Sequence, residues 1–449
     1  MSADSGRAQA REAGEQPAQT SALQTVRPGS RASRTVGLVL ALLACLWIAF
    51  CTGLGPIYRQ EGSLTQIGLA QVLIMLGTLA ICLALVLACR RILLGCEPLR
   101  MPQRLTALAQ RPRMRAYAVF ITRQTSGWRP IMRLLLLGWA WAFLTLLAAY
   151  GADLYAQAQE CANFLAQLVL ALIIHRRQWS TILIGLLLPL VLFTGVTGAL
   201  TATGTVIKGD PVESRSIQLQ QIARVAQRNP QGIPAQARAD LEPIMDLDNA
   251  AIQYTPWEAD RVKSSGNQPK LIVYRWRTVT PDQLSRLNRA WLQVGLRNPV
   301  IYLDAFMAES YGYFDPGDPA YVAMSYYLNN GYVQNSGSWL AAWCHDWRNG
   351  VTGFVRTWAD TPLLGLVARA NFWVVAALLL IVARLAAGHW RGALCWFPLL
   401  LIMGVMITAP ANNFERHMLP VDMVVPFLIL DMVRQSRRAR TGNSMDRPT

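Results

Sequence analysis

The chain has 449 residues, of which 53% are hydrophobic and only 15% charged, and its formal net charge is +16. This composition excludes an intrinsically disordered chain, which would be polar and poor in apolar residues, and it argues against an ordinary soluble enzyme, in which about 25% of residues are charged. Basic charge alone is compatible with nucleic-acid binding, so the class depends on where the charges lie along the chain.

The N-terminal segment is polar, and the segments that follow it are apolar. Residues 1–34 show no apolar periodicity, which predicts a disordered tail. A membrane-spanning helix needs about 17–25 mainly apolar residues. Eight later segments approach this length, although the fourth, seventh and eighth contain polar residues or prolines. The candidate spans are residues 35–53, 66–89, 131–150, 158–174, 181–200, 363–383, 393–409 and 417–433.

The basic residues alternate with these segments. Five arginines precede the first span, ten lie between residues 90 and 133, and others follow the fourth, sixth and eighth spans, whereas the intervening short connections carry almost none. Cytoplasmic loops of membrane proteins are enriched in Lys and Arg. The pattern predicts a plasma-membrane protein of about eight helices with both termini cytoplasmic. Membrane insertion therefore explains the basic charge better than a nucleic-acid partner does.

A long connection separates the fifth and sixth predicted spans. We call residues 204–362 the outer domain, because the alternation assigns this connection to the extracytoplasmic side. The predicted domains are thus the tail 1–34, membrane helices 35–203, the outer domain 204–362, membrane helices 363–433 and a cytoplasmic tail 434–449. The fold class is mainly α, a polytopic helical membrane protein with a mostly helical outer domain.

Several local patterns predict structure within the outer domain. Thr280, Pro281 and Gln283 form a helix-start signal, and Pro299 begins a second helix that extends to Tyr311. Residues 269–277 alternate weakly and are compatible with a short strand. Aromatic residues concentrate in 311–332, where they either pack a small core, lie at the membrane interface or line a sugar-binding cleft; the first two interpretations are favoured.

Several sites are absent from the sequence or only weakly indicated. The four histidines and eight cysteines lack zinc-ligand spacing, and no phosphate-binding loop or serine-hydrolase motif is present. Asp246 and Asp248 form an isolated DxD pattern, which is weak evidence for a metal-diphosphate site. No metal ligands are assigned from the residues themselves.

Three segments carry a resemblance to a known group of proteins. They read GDPVESRSIQLQQIARVAQ (209–227), LRNPVIYLDAFMAESYGYFDP (296–316) and ERHMLPVDMVVPFLI (415–429). Together they resemble an uncharacterised family of bacterial polytopic membrane proteins that is similar to the GT-C glycosyltransferases. The resemblance implies a sugar donor linked to polyprenyl phosphate, an envelope glycan or glycolipid acceptor, and a divalent metal, Mg or Mn, as a possible cofactor.

The same resemblance implies a catalytic acid in an outer loop. The matching loop is residues 150–160, which offers Asp153 as general base or metal ligand and Glu160 as the second choice. The loop is short for that group, so the chain resembles a shortened member. The alternative for both residues is a solvated loop carboxylate.

Substrate-binding candidates lie on a helical stretch after the fifth span and beside the last span. Glu213, Gln220, Gln221 and Arg224 are spaced to share a helix face and to bind a sugar or pyrophosphate. The alternative is an amphipathic helix that packs Leu219 inward.

Arg416, next to His417, is a candidate ligand for the lipid phosphate, the alternative being interfacial snorkelling. Arg369 either faces a polar cavity or precedes a span that begins at Ala370, and the second reading is simpler.

The predicted function is transfer of a sugar from a polyprenyl-phosphate donor. Two alternatives belong to other classes: a non-catalytic membrane scaffold for envelope assembly, and a lipid or solute transporter. A transporter would predict internal repeats and charges in the middle of the membrane. The sequence shows no repeat, and Arg369 is the single candidate charge of that kind.

Overall fold

The computed structural model describes residues 31–96, 112, 116, 188–205, 210–266, 271–319, 347, 350, 353–354, 357–408 and 411–445. Every extended run of secondary structure in these residues is helical, and β pairing there is limited to isolated bridges. The mainly α prediction is therefore confirmed. The helices are α1 (Arg31–Tyr58), α2 (Leu69–Leu93), α3 (Leu188–Ala202), α4 (Ser216–Arg228), α5 (Ala235–Leu241), α6 (Leu247–Gln253), α7 (Pro281–Arg297), α8 (Pro299–Ser310), α9 (Ala370–Ala386), α10 (Trp390–Leu394), α11 (Phe397–Ile407) and α12 (Glu415–Met445).

Two of the described helices, α1 and α2, are long and apolar enough to cross a membrane. They form an antiparallel pair, and α9 packs along both. Helix α1 buries a stripe that includes Gly37, Ala41, Cys45 and Ile48, at the three- and four-residue spacing of one helix face. Only three residues of α2 are buried, so most of its apolar surface faces outward, as lipid contact requires.

The predicted span 393–409 is not one continuous helix. Helix α10 ends at Leu394, and α11 begins at Phe397 with Pro398 in its first turn. A proline has no N–H to donate and is favoured at the start of a helix, which explains the break. Helix α12, in contrast, runs for 31 residues through Pro420 and Pro426. The other described helices overlap the predicted spans but differ at their ends: α1 begins at Arg31, α9 begins at Ala370, and α12 continues past the predicted end to Met445.

The described outer domain folds around its own core. Helices α4, α5, α6 and α7 enclose buried side chains such as Leu219, Ile222, Val273 and Leu287. The predicted helix starts are confirmed: Thr280 caps α7 in a capping box with Gln283. The predicted strand is wrong for residues 271–277, where Ile272 and Tyr274 form single bridges and the chain then turns at Arg277, whose φ is +61°.

Helix α8 connects this core to the helix bundle that contains α1 and α9. Tyr302 in its first half packs into the outer-domain core, whereas Met307 and Ala308 belong to a second core with residues of α1, α9, α11 and α12. The following 3-10 turn, Tyr311–Phe314, is buried in the same second core. The outer domain therefore packs on one end of the helix bundle through α8 and this turn.

Candidate functional site

Polar and charged side chains concentrate where the outer domain meets the bundle. We call this contact the junction. It comprises the chain after α1, the segment from Asp304 in α8 to Asp318, the start of α9, and the loop between α11 and α12. The junction residues used below are Tyr58, Arg59, Ser63, Asp304, Tyr311, Asp315, Asp318, Asn371, Asn412, Asn413 and His417.

Asp304 joins α8 to the loop after α1. Its carboxylate is 2% exposed and accepts hydrogen bonds from the hydroxyl of Ser63 at 2.6 Å, the backbone N–H of Leu64 at 2.8 Å and the hydroxyl of Tyr58 at 3.2 Å. Ser63 is also the N-cap of the short 3-10 turn Leu64–Gln66. A carboxylate with three donors is well satisfied, so Asp304 fixes the position of the loop against the outer domain.

Asp315 and Asp318 share one cation. Arg59 Nη1 lies 3.2 Å from Oδ2 of Asp315 and 3.1 Å from Oδ1 of Asp318. Both carboxylates are at least nine-tenths buried, whereas the Arg59 side chain is 34% exposed. Burial raises the pKa of Asp315 to about 6, although the N–H of Gly317 opposes the shift. Burial also raises the pKa of Asp318, against hydrogen bonds from Tyr311 and Arg59.

Three asparagines complete this part of the junction. The Asn371 amide, which is fully buried at the start of α9, donates to the carbonyl oxygens of Gly312, Asp315 and Asp318 at 2.7–3.2 Å. Asn412 accepts from the N–H of Gly312, and Asn413 donates to Asp318 at 3.0 Å. The turn that carries the two acids is thus held by Asn371 of the sixth predicted span and by the loop between α11 and α12.

His417 and Tyr313 lie on the neighbouring side of the same turn. The Tyr313 hydroxyl lies 2.6 Å from Nδ1 of His417 and also donates to the carbonyl oxygen of Ala411. The Tyr313 hydroxyl has one hydrogen, which it donates to Ala411. Nδ1 of His417 is therefore protonated and donates to the Tyr313 oxygen. Ala411 also bridges to Glu258, so the loop before α12 contacts the outer domain directly.

Arg224 and its neighbours on α4 form an inner layer behind this contact. The Arg224 guanidinium is 2% exposed and donates to the Tyr254 hydroxyl and to the carbonyl oxygen of Gly62, each at 2.7 Å. Gln221 donates to the Tyr302 carbonyl oxygen and accepts from Trp291. These side chains face the protein interior, where they bind other parts of the chain.

Glu309 on α8 is a buried acid without a conventional partner. Neither carboxylate oxygen has a hydrogen-bond donor at bonding geometry among the described residues, and the carbonyl oxygen of the neighbouring Gln220 side chain also lacks one. Burial raises the pKa of Glu309 to about 8, and the Gln220 side chain and the charge of Lys263 lower it only in part. At neutral pH Glu309 is therefore mainly protonated. A protonated carboxyl group has an O–H, which can donate a hydrogen bond to the unpartnered side-chain oxygen of Gln220.

Apolar cavities lie directly beside the junction. One of about 250 Å³ is lined by Trp47, Phe314, Leu378, Leu400, Met403, Gly404 and Ile407. A second, of about 570 Å³, lies between α1 and α2 on the other side of Trp47. Phe314 packs edge-on against Trp47 with ring centroids 5.7 Å apart, and the residue after Phe314 is Asp315. The first cavity is open to the outside and its lining is entirely apolar, and Phe314 in that lining is the sequence neighbour of Asp315.

The structure brings only some of the predicted site residues together. Gln220, Gln221 and Arg224 share α4, but Glu213 belongs to a separate 3-10 turn, Pro211–Arg215, so the single helical stretch predicted for all four is wrong. Pro211 begins that turn, and the Asp210 side chain caps it by accepting a hydrogen bond from the N–H of Val212. Arg416 lies in α12, but its side chain is outside the described residues, as are Asp153 and Glu160 entirely.

The DxD pattern has a structural explanation. Asp246 is the N-cap of α6 and accepts from the N–H of Asn249 at 2.8 Å, and Asp248 is an exposed residue of the first turn. An acid in both positions stabilises a helix N-terminus. The metal implied by the resemblance also finds no ligand set here: among the described residues no three His, Cys, Asp or Glu side chains group as metal ligands, and Asp315 and Asp318 are engaged by Arg59.

Sequence reasoning missed the residues that carry the junction. Asp304, Glu309, Asp315 and Asp318 all lie within 15 positions of an otherwise apolar and aromatic stretch. Acidic residues in such surroundings are seldom solvated, so their position in this stretch was the sequence signal that they are buried. Arg59, the partner of Asp315 and Asp318, gave no such signal in the sequence, because a single arginine in a short loop is typical of a surface position.

One family model matches the chain. It describes a family of unknown function, DUF6020, and matches residues 27–167 and 162–446, nearly the whole length. No protein of curated function and no solved structure matches the chain.

Proposed function

The chain belongs to the DUF6020 family, and we propose that it is a multi-pass plasma-membrane protein that transfers a sugar from a polyprenyl-phosphate donor to a cell-envelope glycan or glycolipid. The observation that carries the proposal is that an apolar cavity lined by Phe314 and an arginine–carboxylate group that includes Asp315 lie at consecutive residues of one turn. A lipid-linked sugar phosphate needs both environments, an apolar one for its chain and a polar one for its head.

The arrangement of helix ends supports the proposed topology of about eight spans. The loop after α1, the start of α9 and the loop before α12 all contact the outer domain. The arginines that end α2 and α9 lie at the opposite end of the bundle. Arginine at one end and a neutral domain at the other agree with cytoplasmic termini and an extracytoplasmic outer domain.

Among the described cations, Arg59 is better suited than Arg224 to bind the donor phosphate. Its side chain is 34% exposed and pairs with Asp315, the residue after the cavity-lining Phe314, whereas Arg224 is 2% exposed and bonded within the chain. Guanidinium groups bind phosphate oxygens through paired hydrogen bonds. Asp315 and Asp318 would hold Arg59 in place for that contact.

The proposed reaction is an inverting displacement with Asp153 as general base. The acceptor hydroxyl oxygen forms a bond to the anomeric carbon as the bond from that carbon to the phosphate oxygen breaks. The hydroxyl proton passes to the Asp153 carboxylate, and polyprenyl phosphate leaves with its charge near Arg59. A base positioned for this proton typically contributes about 10²–10⁴-fold to the rate.

The test compares envelope glycans in cells that carry Arg59→Gln, Asp153→Ala or a control. Arg228→Gln is the matched control for Arg59, because Arg228 is exposed and binds the carbonyl oxygen of Glu61 in the same loop. We expect the first two variants to lose the transferred sugar and to accumulate lipid-linked donor. The membrane level of each variant is measured as well, because Arg59→Gln also removes the cation that balances the buried Asp315 and Asp318. A normal glycan profile in both variants would refute the activity.

A second candidate, a non-catalytic scaffold for envelope assembly, is favoured by one observation. The carboxylate of Asp304 and the amides of Gln221 and Asn371 bind groups of the chain itself. A scaffold predicts that Asp153→Ala and Arg59→Gln leave the glycans unchanged, whereas disruption of the junction at Asp304 impairs assembly. These outcomes separate the two functions. The remaining alternative, a transporter, gains no support from the described residues.

A further inference from the structure

A group of basic side chains surrounds the end of the bundle remote from the outer domain. Arg34 lies in the first turn of α1, Arg90 and Arg384 lie in the last turns of α2 and α9, and His389 follows α9. We call these four residues the basal cluster. They come from three helices and meet around residues 385–389.

Close backbone packing fixes this arrangement. Gly37 of α1 lies so near to the Leu385 carbonyl that a Cβ there would overlap it. Arg90 donates from Nε to the carbonyl oxygen of Ala386 at 3.0 Å, and Trp390 donates to the carbonyl oxygen of Ser33 at 3.0 Å. Gly388 turns the chain with φ +83°. The basic groups are thus attached to a rigid frame.

Among the described residues, the three arginines of the cluster have one carboxylate as an ion-pair partner, that of Asp431. Arg384 is 1% exposed and pairs with Asp431 at 2.6 Å, but that carboxylate also accepts from Trp396. Nε of Arg34 and Nδ1 of His389 are buried and have no hydrogen-bond partner among the described residues. Burial lowers the pKa of His389, and the charges of Arg384 and Arg34 lower it further.

We propose that the basal cluster binds a phosphate group, that of an anionic phospholipid in the adjoining leaflet. Guanidinium forks match phosphate oxygens, and the Arg34 and Arg90 side chains are partly exposed, so both are accessible to a lipid headgroup. The site lies at the ends of the two helices of spanning length, where lipid headgroups are found. This inference is independent of the sugar transfer proposed above.

The chain provides matched controls. Arg31 and Arg91 are exposed and lie on the same two helix ends as Arg34 and Arg90, so Arg31→Gln and Arg91→Gln remove the same net charge without altering the cluster. Arg34→Gln removes a guanidinium group whose Nε makes no hydrogen bond to the described residues. His389→Ala is a second variant of the same kind.

The full chain is purified in detergent and titrated with phosphatidylglycerol, phosphatidylcholine or inorganic phosphate, and bound lipid is counted by native mass spectrometry. We expect phosphatidylglycerol to be retained over phosphatidylcholine, and Arg34→Gln to weaken that retention about tenfold, with Arg31→Gln near wild type. Inorganic phosphate should compete with the lipid.

Equal losses in Arg34→Gln and Arg31→Gln would overturn the site, since only general charge would then matter. Equal retention of the two lipids would overturn it as well. Binding of inorganic phosphate without preference for phosphatidylglycerol would overturn the lipid as its source. Thermal unfolding of each variant in phosphatidylcholine nanodiscs, where the site is empty of anionic lipid, identifies any variant that is misfolded.

Discussion

The removal of the Asp304 carboxylate is expected to separate the outer domain from the bundle. Three donors bind this carboxylate, from Ser63, Leu64 and Tyr58, and hydrogen bonds to a charged group contribute about 1.5–3 kcal/mol each. Ser63 and Leu64 are half-buried and regain water, whereas the Tyr58 hydroxyl is left buried without its acceptor. We therefore expect Asp304→Ala to cost about 3–5 kcal/mol rather than the full sum.

Thermal unfolding in lipid nanodiscs, followed together with proteolysis of the loop after α1, measures this effect. Asp304→Asn keeps one acceptor oxygen and should show an intermediate loss. Asp282→Ala is the matched control, because this exposed carboxylate in the first turn of α7 pairs with Arg286 one turn away, and its loss should lower the midpoint far less than the loss of Asp304. An unfolding midpoint for Asp304→Ala equal to that of Asp282→Ala would show that Asp304 does not hold the junction.

Three further predictions concern buried groups. The raised pKa of Glu309 means that the folded chain keeps a proton that the unfolded chain loses between pH 4.5 and about 8. Stability should therefore fall as pH rises through this window, by up to about 1.4 kcal/mol per pH unit, and Glu309→Gln should flatten the measured profile. Asn371→Leu should cost about 2–3 kcal/mol in chemical unfolding, because it leaves buried carbonyl oxygens unpaired, whereas Asn288→Leu should cost less, because the two hydrogen bonds that it loses are exposed to water. Gly37→Ala should push α1 away from α9 and lower the melting temperature, while Gly77→Ala, which meets open space on α2, should leave it unchanged or raise it.

The fold class and the helix starts followed from local chemistry. Apolar length and composition identify α1 and α2 without reference to any other segment, and Thr280 with Gln283 marks the start of α7. Such signals involve residues within a few positions of each other, so they are independent of tertiary contacts. The same local logic failed at residues 271–277, because an alternating pattern does not supply a partner strand, and the described chain offers only single bridges there.

The candidate site depended on contacts that are remote in sequence. Gln220 and Arg224 share a helix face as predicted, but the burial of Arg224 against Gly62 is set by a loop about 160 positions earlier. Spacing along one helix reports which residues point the same way. It does not report whether that direction leads to solvent or to another segment.

The sequence by itself determined that this protein is mainly helical, which segments are apolar, and where basic charge lies between them, because each of these is a property of neighbouring residues. Only the tertiary structure decided that Arg59 balances Asp315 and Asp318, more than 250 positions away, and that Asp304 binds the loop after α1. The physical reason is the cost of burial. A carboxylate taken out of water needs donors from whichever segments pack against it, and those segments are chosen by the fold.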